Sequence, residues 1–166
     1  MAYDIDFKKK GELLVHRRKF LLFPEYWEEP NNFLPAQSKW HEIEFKDASL
    51  KSIPLEKGIY CFVVKPRLIG FFETNYLFYL GKTSRTLQKR YSEYLSNQKG
   101  KNKPRPKIFE MLTLYKEYLH FYYTELKTDA EVDDMETRLL NAFIPHINTD
   151  IPNAKIKNEL KRIYEA

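Results

Sequence analysis

An α+β domain, built on a small antiparallel sheet of three strands flanked by helices, is the fold class this sequence predicts. Two runs rich in β-branched and aromatic residues, GIYCFVVK at 58–65 and YLFYLGK at 76–82, stand ten residues apart. That spacing is too short for the helix-bearing crossover of a parallel pair, so they predict an antiparallel hairpin with a long tip. The period then changes: Leu87, Arg90, Tyr91, Tyr94 and Leu95 recur at i, i+3, i+4, i+7 and i+8, one face of a helix. A third strand-like run, HFYYTEL at 120–126, comes only after a second helical stretch, which gives the order β-β-α-α-β-α-α.

Taken along the chain, Phe7 to Phe23 predicts a helix with Leu13, Leu14, Leu21 and Leu22 among Lys and Arg. Pro24, Pro30, Asn31, Asn32 and Pro35 then predict loop over 24–38. Residues 39–57 alternate briefly at Trp40, Ile43 and Phe45 and read as a lead-in to the sheet. The first long run has no polar side, so it predicts a strand covered on both faces and ended by Pro66. Helices are expected at Thr86 to Asn97, Ile108 to Glu117, Ala130 to Phe143 and Ala154 to Glu165, the third with Val132, Met135, Leu139 and Phe143 on one face. The organisation expected is an N-terminal helical extension and loop over 1–38, then one domain over 39–166. There is no internal repeat and no low-complexity tract.

The 166 residues are 43% hydrophobic and 31% charged, with twelve Tyr and twelve Phe, enough apolar area for a core and too much for a disordered chain. No stretch approaches the roughly 18 apolar residues of a membrane span, and MAYDIDFKKK puts acids and lysines where a secretory signal has its apolar run. A soluble, cytoplasmic protein with no membrane partner is expected. A single cysteine and four scattered histidines exclude an internal disulfide and a cysteine/histidine zinc cluster. Cys61 reads as a small buried hydrophobe. His146 with Asp150 follows Pro145 in a loop and is set aside as a metal site.

The placement of charge says more than the net +5. Residues 82–107 hold Lys82, Arg85, Lys89, Arg90, Lys99, Lys101, Lys103, Arg105 and Lys107 against Glu93 alone, a local +8 that leaves −3 for the remainder. Such concentration is either a solvated lysine-rich loop or the footprint of a polyanion, most simply a phosphate backbone. Two further charges break the polar-out rule. Arg90 lies in the stripe with Leu87, Tyr91, Tyr94 and Leu95, while Gln88, Lys89, Ser92 and Glu93 take the other side. A guanidinium does not give up its proton, so it must meet an anion or a carbonyl there. Glu136, with Leu139 and Leu140 at i+3 and i+4, borders an apolar face while Asp133 and Asp134 point to water.

Gly58-Ile59-Tyr60 and Tyr79-Leu80-Gly81 resemble the paired signature of the GIY-YIG nuclease superfamily, with Leu for the central Ile of the second triplet. The likeness gains specificity from Lys82 directly after it, Arg90 and Tyr94 one turn apart, Glu136 on a later helix and Asn148 beyond a proline, and it spans about residues 55–150. It implies functional roles for Tyr60, Tyr79, Lys82, Arg90, Tyr94, Glu136 and Asn148. In some relatives histidine takes the place of Tyr94. Residues 1–38 carry no family signature, and their helix is a candidate for dimerisation or base reading.

The residue types suit phosphodiester hydrolysis, which needs a base to activate water, positive charge against the transition state and help for the leaving 3′ oxygen. Glu136 could hold Mg²⁺ or Mn²⁺ with waters and substrate oxygens, and Arg90 could neutralise the non-bridging oxygens. The resemblance points to Tyr60 or Tyr79 as base, with Tyr60 preferred and Tyr79 and Tyr94 orienting water or phosphate. Asn148 would hold a tyrosine hydroxyl or the chain near Glu136. Arg85, Lys89, Lys99, Lys101, Lys103, Arg105 and Lys107 are the expected DNA contacts. The leading expectation is a standalone, restriction-endonuclease-like enzyme in genome defence. The alternatives are a repair or recombination nuclease on branched or single-stranded DNA and a non-catalytic nucleic-acid binder. A homodimer is an option that a palindromic target would require.

Overall fold

The computed structural model describes residues 9–22, 24–28, 38–67 and 73–148. Four strands make the sheet where three were expected: β1 (His41–Glu44), β2 (Gly58–Val64), β3 (Tyr76–Thr83) and β4 (Leu119–Glu125), in the order β1-β4-β2-β3. All neighbours are antiparallel. The hairpin register sets Tyr60 opposite Gly81 and Ile59 opposite Lys82. The additional strand is the expected lead-in. Its sequence, HEIE, has little strand character of its own, and it pairs because β4 offers a free edge. Glu42 and Glu44 are tied to Lys65 and Arg67, each pair within 2.8 Å.

Among the described residues five α-helical segments accompany the sheet: α1 (9–14), α2 (Pro24–Trp27), α3 (Leu87–Gln98), α4 (Pro106–Leu114) and α5 (Asp129–Phe143). The helix expected over Phe7–Phe23 is reduced to α1 among the described residues, and a single turn stands in the stretch read as loop. Phe20 instead packs its ring 5.6 Å from Tyr76 and 5.8 Å from Phe78. α4 starts two residues early because Pro106 fits a first helical turn, and a 3-10 turn, Lys116–Tyr118, replaces the expected end. The helix expected over 154–165 lies outside the described residues.

β2 is buried at every position because layers cover both faces of the sheet. On one, Tyr60, Phe62 and Val64 meet Tyr91, Tyr94 and Leu95 of α3 and Ile108, Met111 and Leu112 of α4. On the other, Ile59, Cys61, Val63 and Leu80 meet Val132, Met135, Leu139 and Leu140 of α5. Phe143, expected on that apolar face, is 48% exposed. α5 opens on a capping box in which Thr128 accepts from the Glu131 amide and Glu131 from the Thr128 amide. It closes at Ile144, whose φ of +44° is costly for a β-branched residue. That turn lays the chain along the free edge of β3, where Ile147 N–H donates to the Phe78 carbonyl at 3.1 Å.

Candidate active site

α3 builds the first part of the site. Thr86 caps it, accepting from the Lys89 amide at 3.0 Å, and the buried stripe of Leu87, Tyr91, Tyr94 and Leu95 fixes its rotation. Arg90 is thereby carried to Tyr60. Its Nε donates to the Tyr60 hydroxyl at 2.9 Å, its Nη2 donates to the Tyr94 hydroxyl at 3.2 Å, and the two hydroxyls lie 2.9 Å apart. Gly81 makes the room, since a Cβ there would lie 2.6 Å from the Tyr60 hydroxyl. Arg90 also meets its anion: Nη1 donates to Glu93 at 2.8 Å, and Glu93 binds Arg85 at 2.7 Å. The i, i+3 spacing of Arg90 and Glu93 carried this signal, although Glu93 was expected on the far side.

Burial pushes the Tyr60 phenol above the ordinary tyrosine range, with Tyr79 adding to the rise and Arg90 opposing it. Tyr94 is raised for the same reason, first by burial and then by Tyr60. Burial also acts on Glu93, but Arg85 and Arg90 hold its carboxyl below the usual range. Tyr91, on the same helix, has a different task. Its hydroxyl accepts from the Lys46 amide at 2.9 Å and donates to the Lys46 carbonyl at 3.0 Å, pinning the turn after β1.

The second part lies on the α5 side. Lys82 follows Gly81 on β3 and reaches Glu136 at 2.8 Å and Asp133 at 2.9 Å, one turn apart on α5. Asp133, expected to point to water, is exposed but also pairs with the ammonium. The hydrogen bond to Glu136, followed by that to Asp133, raises the Lys82 pKa. The two parts meet at the end of β3. Lys82, Arg90 and Asp133, with Thr83, Ser84 and Arg85, line one cleft of about 390 Å³.

Tyr79 makes the third part. Its ring centroid lies 6.3 Å from those of Tyr60 and Tyr94, and Arg105 donates to its hydroxyl at 3.0 Å. Asn148 holds the Leu80 backbone between Tyr79 and Gly81, accepting from its amide at 2.9 Å and donating to its carbonyl at 2.7 Å. Its partner is therefore the strand and not a tyrosine hydroxyl. Of the other basic positions, Arg85 is held by Glu93 and Lys99 by Asp47 at 2.7 Å, whereas Lys89, Lys101, Lys103 and Lys107 are exposed. His146 is described, but Asp150 lies outside the described residues.

An α+β domain that sets Arg90 and Lys82 in one cleft, with two phenols bonded to Arg90 and the Glu136 carboxylate bonded to Lys82, has the groups of a phosphodiester hydrolase. A family model, the GIY-YIG catalytic domain, matches residues 56–148, more than half of the chain, and the protein belongs to the GIY-YIG nuclease superfamily. Its general activity is that of an endonuclease, with DNA as the substrate that a nuclease domain implies. No curated protein and no solved structure matches the chain significantly. Among the described residues no helix is long and apolar enough to cross a membrane.

GIY-YIG nucleases generally use divalent metals. The described residues contain no group of three or more metal-ligating side chains. Glu136 and Asp133 are hard oxygen donors one helical turn apart, both engaged by the Lys82 ammonium, which a metal cation would have to displace. This donor set fits a hard cation completed by water and phosphate oxygens, not one enclosed by protein.

Proposed function

We propose that the protein is a divalent-metal-dependent DNA endonuclease acting in restriction or genome defence in the cytoplasm. The observation that carries this reading is Arg90, bonded to two phenols and lining the same cleft as Lys82, which in turn holds Glu136.

In this reading Arg90 binds the non-bridging oxygens of the scissile phosphate, exchanging part of its contact with Glu93 as a second negative charge develops on them in the transition state. To act as the base Tyr60 must first release its own phenolic proton to solvent, and the phenolate then takes the proton of the attacking water. Burial keeps its phenol protonated in the free protein, and the Arg90 Nε–H at 2.9 Å is the contact that would hold the phenolate. Tyr94 fixes the Tyr60 hydroxyl, and Tyr79 orients water or phosphate. Lys82 holds Glu136 through the 2.8 Å ion pair, and Asn148 holds β3, the strand that carries Tyr79 and Lys82. Glu136, with Asp133 beside it, would hold Mg²⁺ or Mn²⁺, which when bound supplies Lewis-acid stabilisation of phosphate and leaving-group charge. Lys89, Lys101, Lys103 and Lys107, with Arg85, Lys99 and Arg105, provide the cationic path for the DNA backbone.

The test is cleavage of plasmid DNA with Mg²⁺ and with EDTA, followed by sequencing of the ends. Glu136→Ala is expected to abolish cleavage while DNA binding persists, and equal metal-dependent cleavage by this variant would remove Glu136 from the mechanism. Cuts confined to one short sequence support restriction. Cuts at junctions or single strands support repair instead, and binding without cleavage by the unaltered protein supports the binder.

A further inference from the structure

We infer that Arg105 is a positioning residue for strand cleavage: from the basic loop it holds the Tyr79 phenol in the site and makes phosphate binding on the loop felt there. This rests on the nuclease reading.

The local sequence is a rigid mount. Arg105 stands between Pro104 and Pro106. A residue before proline is driven out of the helical region, and Arg105 adopts φ −60°, ψ 134°. Pro106 then starts α4 directly, and Ile108, Met111 and Leu112 bury that helix in the core. Gln98 reinforces the joint, donating from α3 to the Leu112 carbonyl at 2.7 Å. The backbone at Arg105 is thereby fixed, and although the residue is exposed its guanidinium has a defined partner. It donates to the Tyr79 hydroxyl at 3.0 Å and lies 5.6 Å from the centre of the ring.

Its charge distinguishes it from the other cations of the site. Lys82 is matched by Glu136 and Asp133, and Arg90 and Arg85 by Glu93. Among the described residues Arg105 has a phenol and no carboxylate. Lys101 and Lys103 precede it, exposed and without an ion pair among the described residues. A backbone phosphate drawn to them reaches Arg105 next, and through it Tyr79, whose ring neighbours Tyr60 and Tyr94 are those that Arg90 holds. A fork of several N–H donors can keep the phenol and take a phosphate oxygen together, which one ammonium does less well.

The experiment separates binding from turnover. Affinity is measured with Arg105→Ala in a Glu136→Gln background, and single-turnover cleavage at saturating DNA with Arg105→Ala alone. Affinity is expected to change within about fivefold, the scale of one exposed charge contact. Cleavage at saturation is expected to fall about 100-fold, as for a displaced reacting group. Arg105→Lys should restore affinity and less than about a tenth of the lost rate. The Lys101→Ala/Lys103→Ala double variant should show its loss in KM. An Arg105→Ala defect confined to affinity and salt dependence would overturn the inference. The fluorine resonance of 3-fluorotyrosine at position 79 is the second readout. It should move in Arg105→Lys, which also serves if Arg105→Ala does not fold, and an unmoved resonance would equally overturn the inference. If the unaltered protein cuts no DNA while the resonance moves, it is the nuclease reading that fails.

Discussion

Asn148 takes both outward-facing backbone groups of Leu80, accepting its N–H at 2.9 Å and donating to its C=O at 2.7 Å. β3 ends the sheet, and one amide side chain here replaces a neighbouring strand. Asn148→Ala should therefore destabilise the fold by roughly 1–3 kcal/mol, the cost of stranding two part-buried polar groups. Asn148→Asp should do the same, because it sets a carboxylate against the Leu80 carbonyl. Urea unfolding measures this, and an unchanged midpoint in both variants would show that the edge is held by other contacts.

Gly81→Ala tests the close approach of the two signature strands. The new methyl would stand 2.6 Å from the Tyr60 hydroxyl and 2.7 Å from its ring carbon. That ring is completely buried and stacked 5.4 Å from Phe121, so it has little freedom to yield. The expected result is a loss of about 1–3 kcal/mol together with loss of cleavage through the displaced Tyr60–Arg90 contact. A variant with normal melting temperature and normal activity contradicts the packing.

The phenol cluster sets an alkaline limit to stability. Burial raises Tyr60 and Tyr94 above the ordinary value of 10.0 and Tyr91 to about 12. These groups hold their protons more tightly folded than unfolded. Their contribution is thus complete below pH 10 and is lost as pH rises through the native values. Lys82, also raised, acts in the same direction. Urea midpoints should be level up to about pH 9 and fall between pH 10 and 12, less steeply in Tyr60→Phe. Parallel falls in the two proteins would exclude Tyr60 as a source.

Cys61 offers a probe that disturbs nothing. Burial under α5 pushes its thiol up to about 12, so native protein at pH 8 should not react with maleimide. Labelling should appear only with denaturant, in step with unfolding. Rapid labelling of the native state would mean that the α5 layer opens readily.

The sequence disclosed those parts of the molecule whose signals are local. β2 was readable because a run without a polar side has to be covered on both faces. Arg90 and Tyr94 were readable because helical spacing leaves them nowhere else to point. β1 was obscure because its pairing comes from β4, some eighty residues away, and HEIE alone has little preference. Asp133 and Glu93 were assigned to water although each lies three residues from a site residue on its own helix. Arg105 was legible as one of the cations expected to meet DNA, but its bond to Tyr79 was not, since little in a lysine-rich loop sets one cation apart. Only the flanking prolines hint that one of its cations is fixed.

The phenols and Arg90 belong to one face of the sheet and Glu136 to the other, and they are linked through Lys82 at the end of β3, which bonds Glu136 and lines one cleft with Arg90. In the proposed mechanism neither layer suffices alone. Should α5 lift from the sheet, the aromatic half would stay packed and the acid would leave with the helix. Catalysis would then switch off while most of the secondary structure survived, which makes turnover a more sensitive gauge of intact tertiary packing than any spectrum of the backbone.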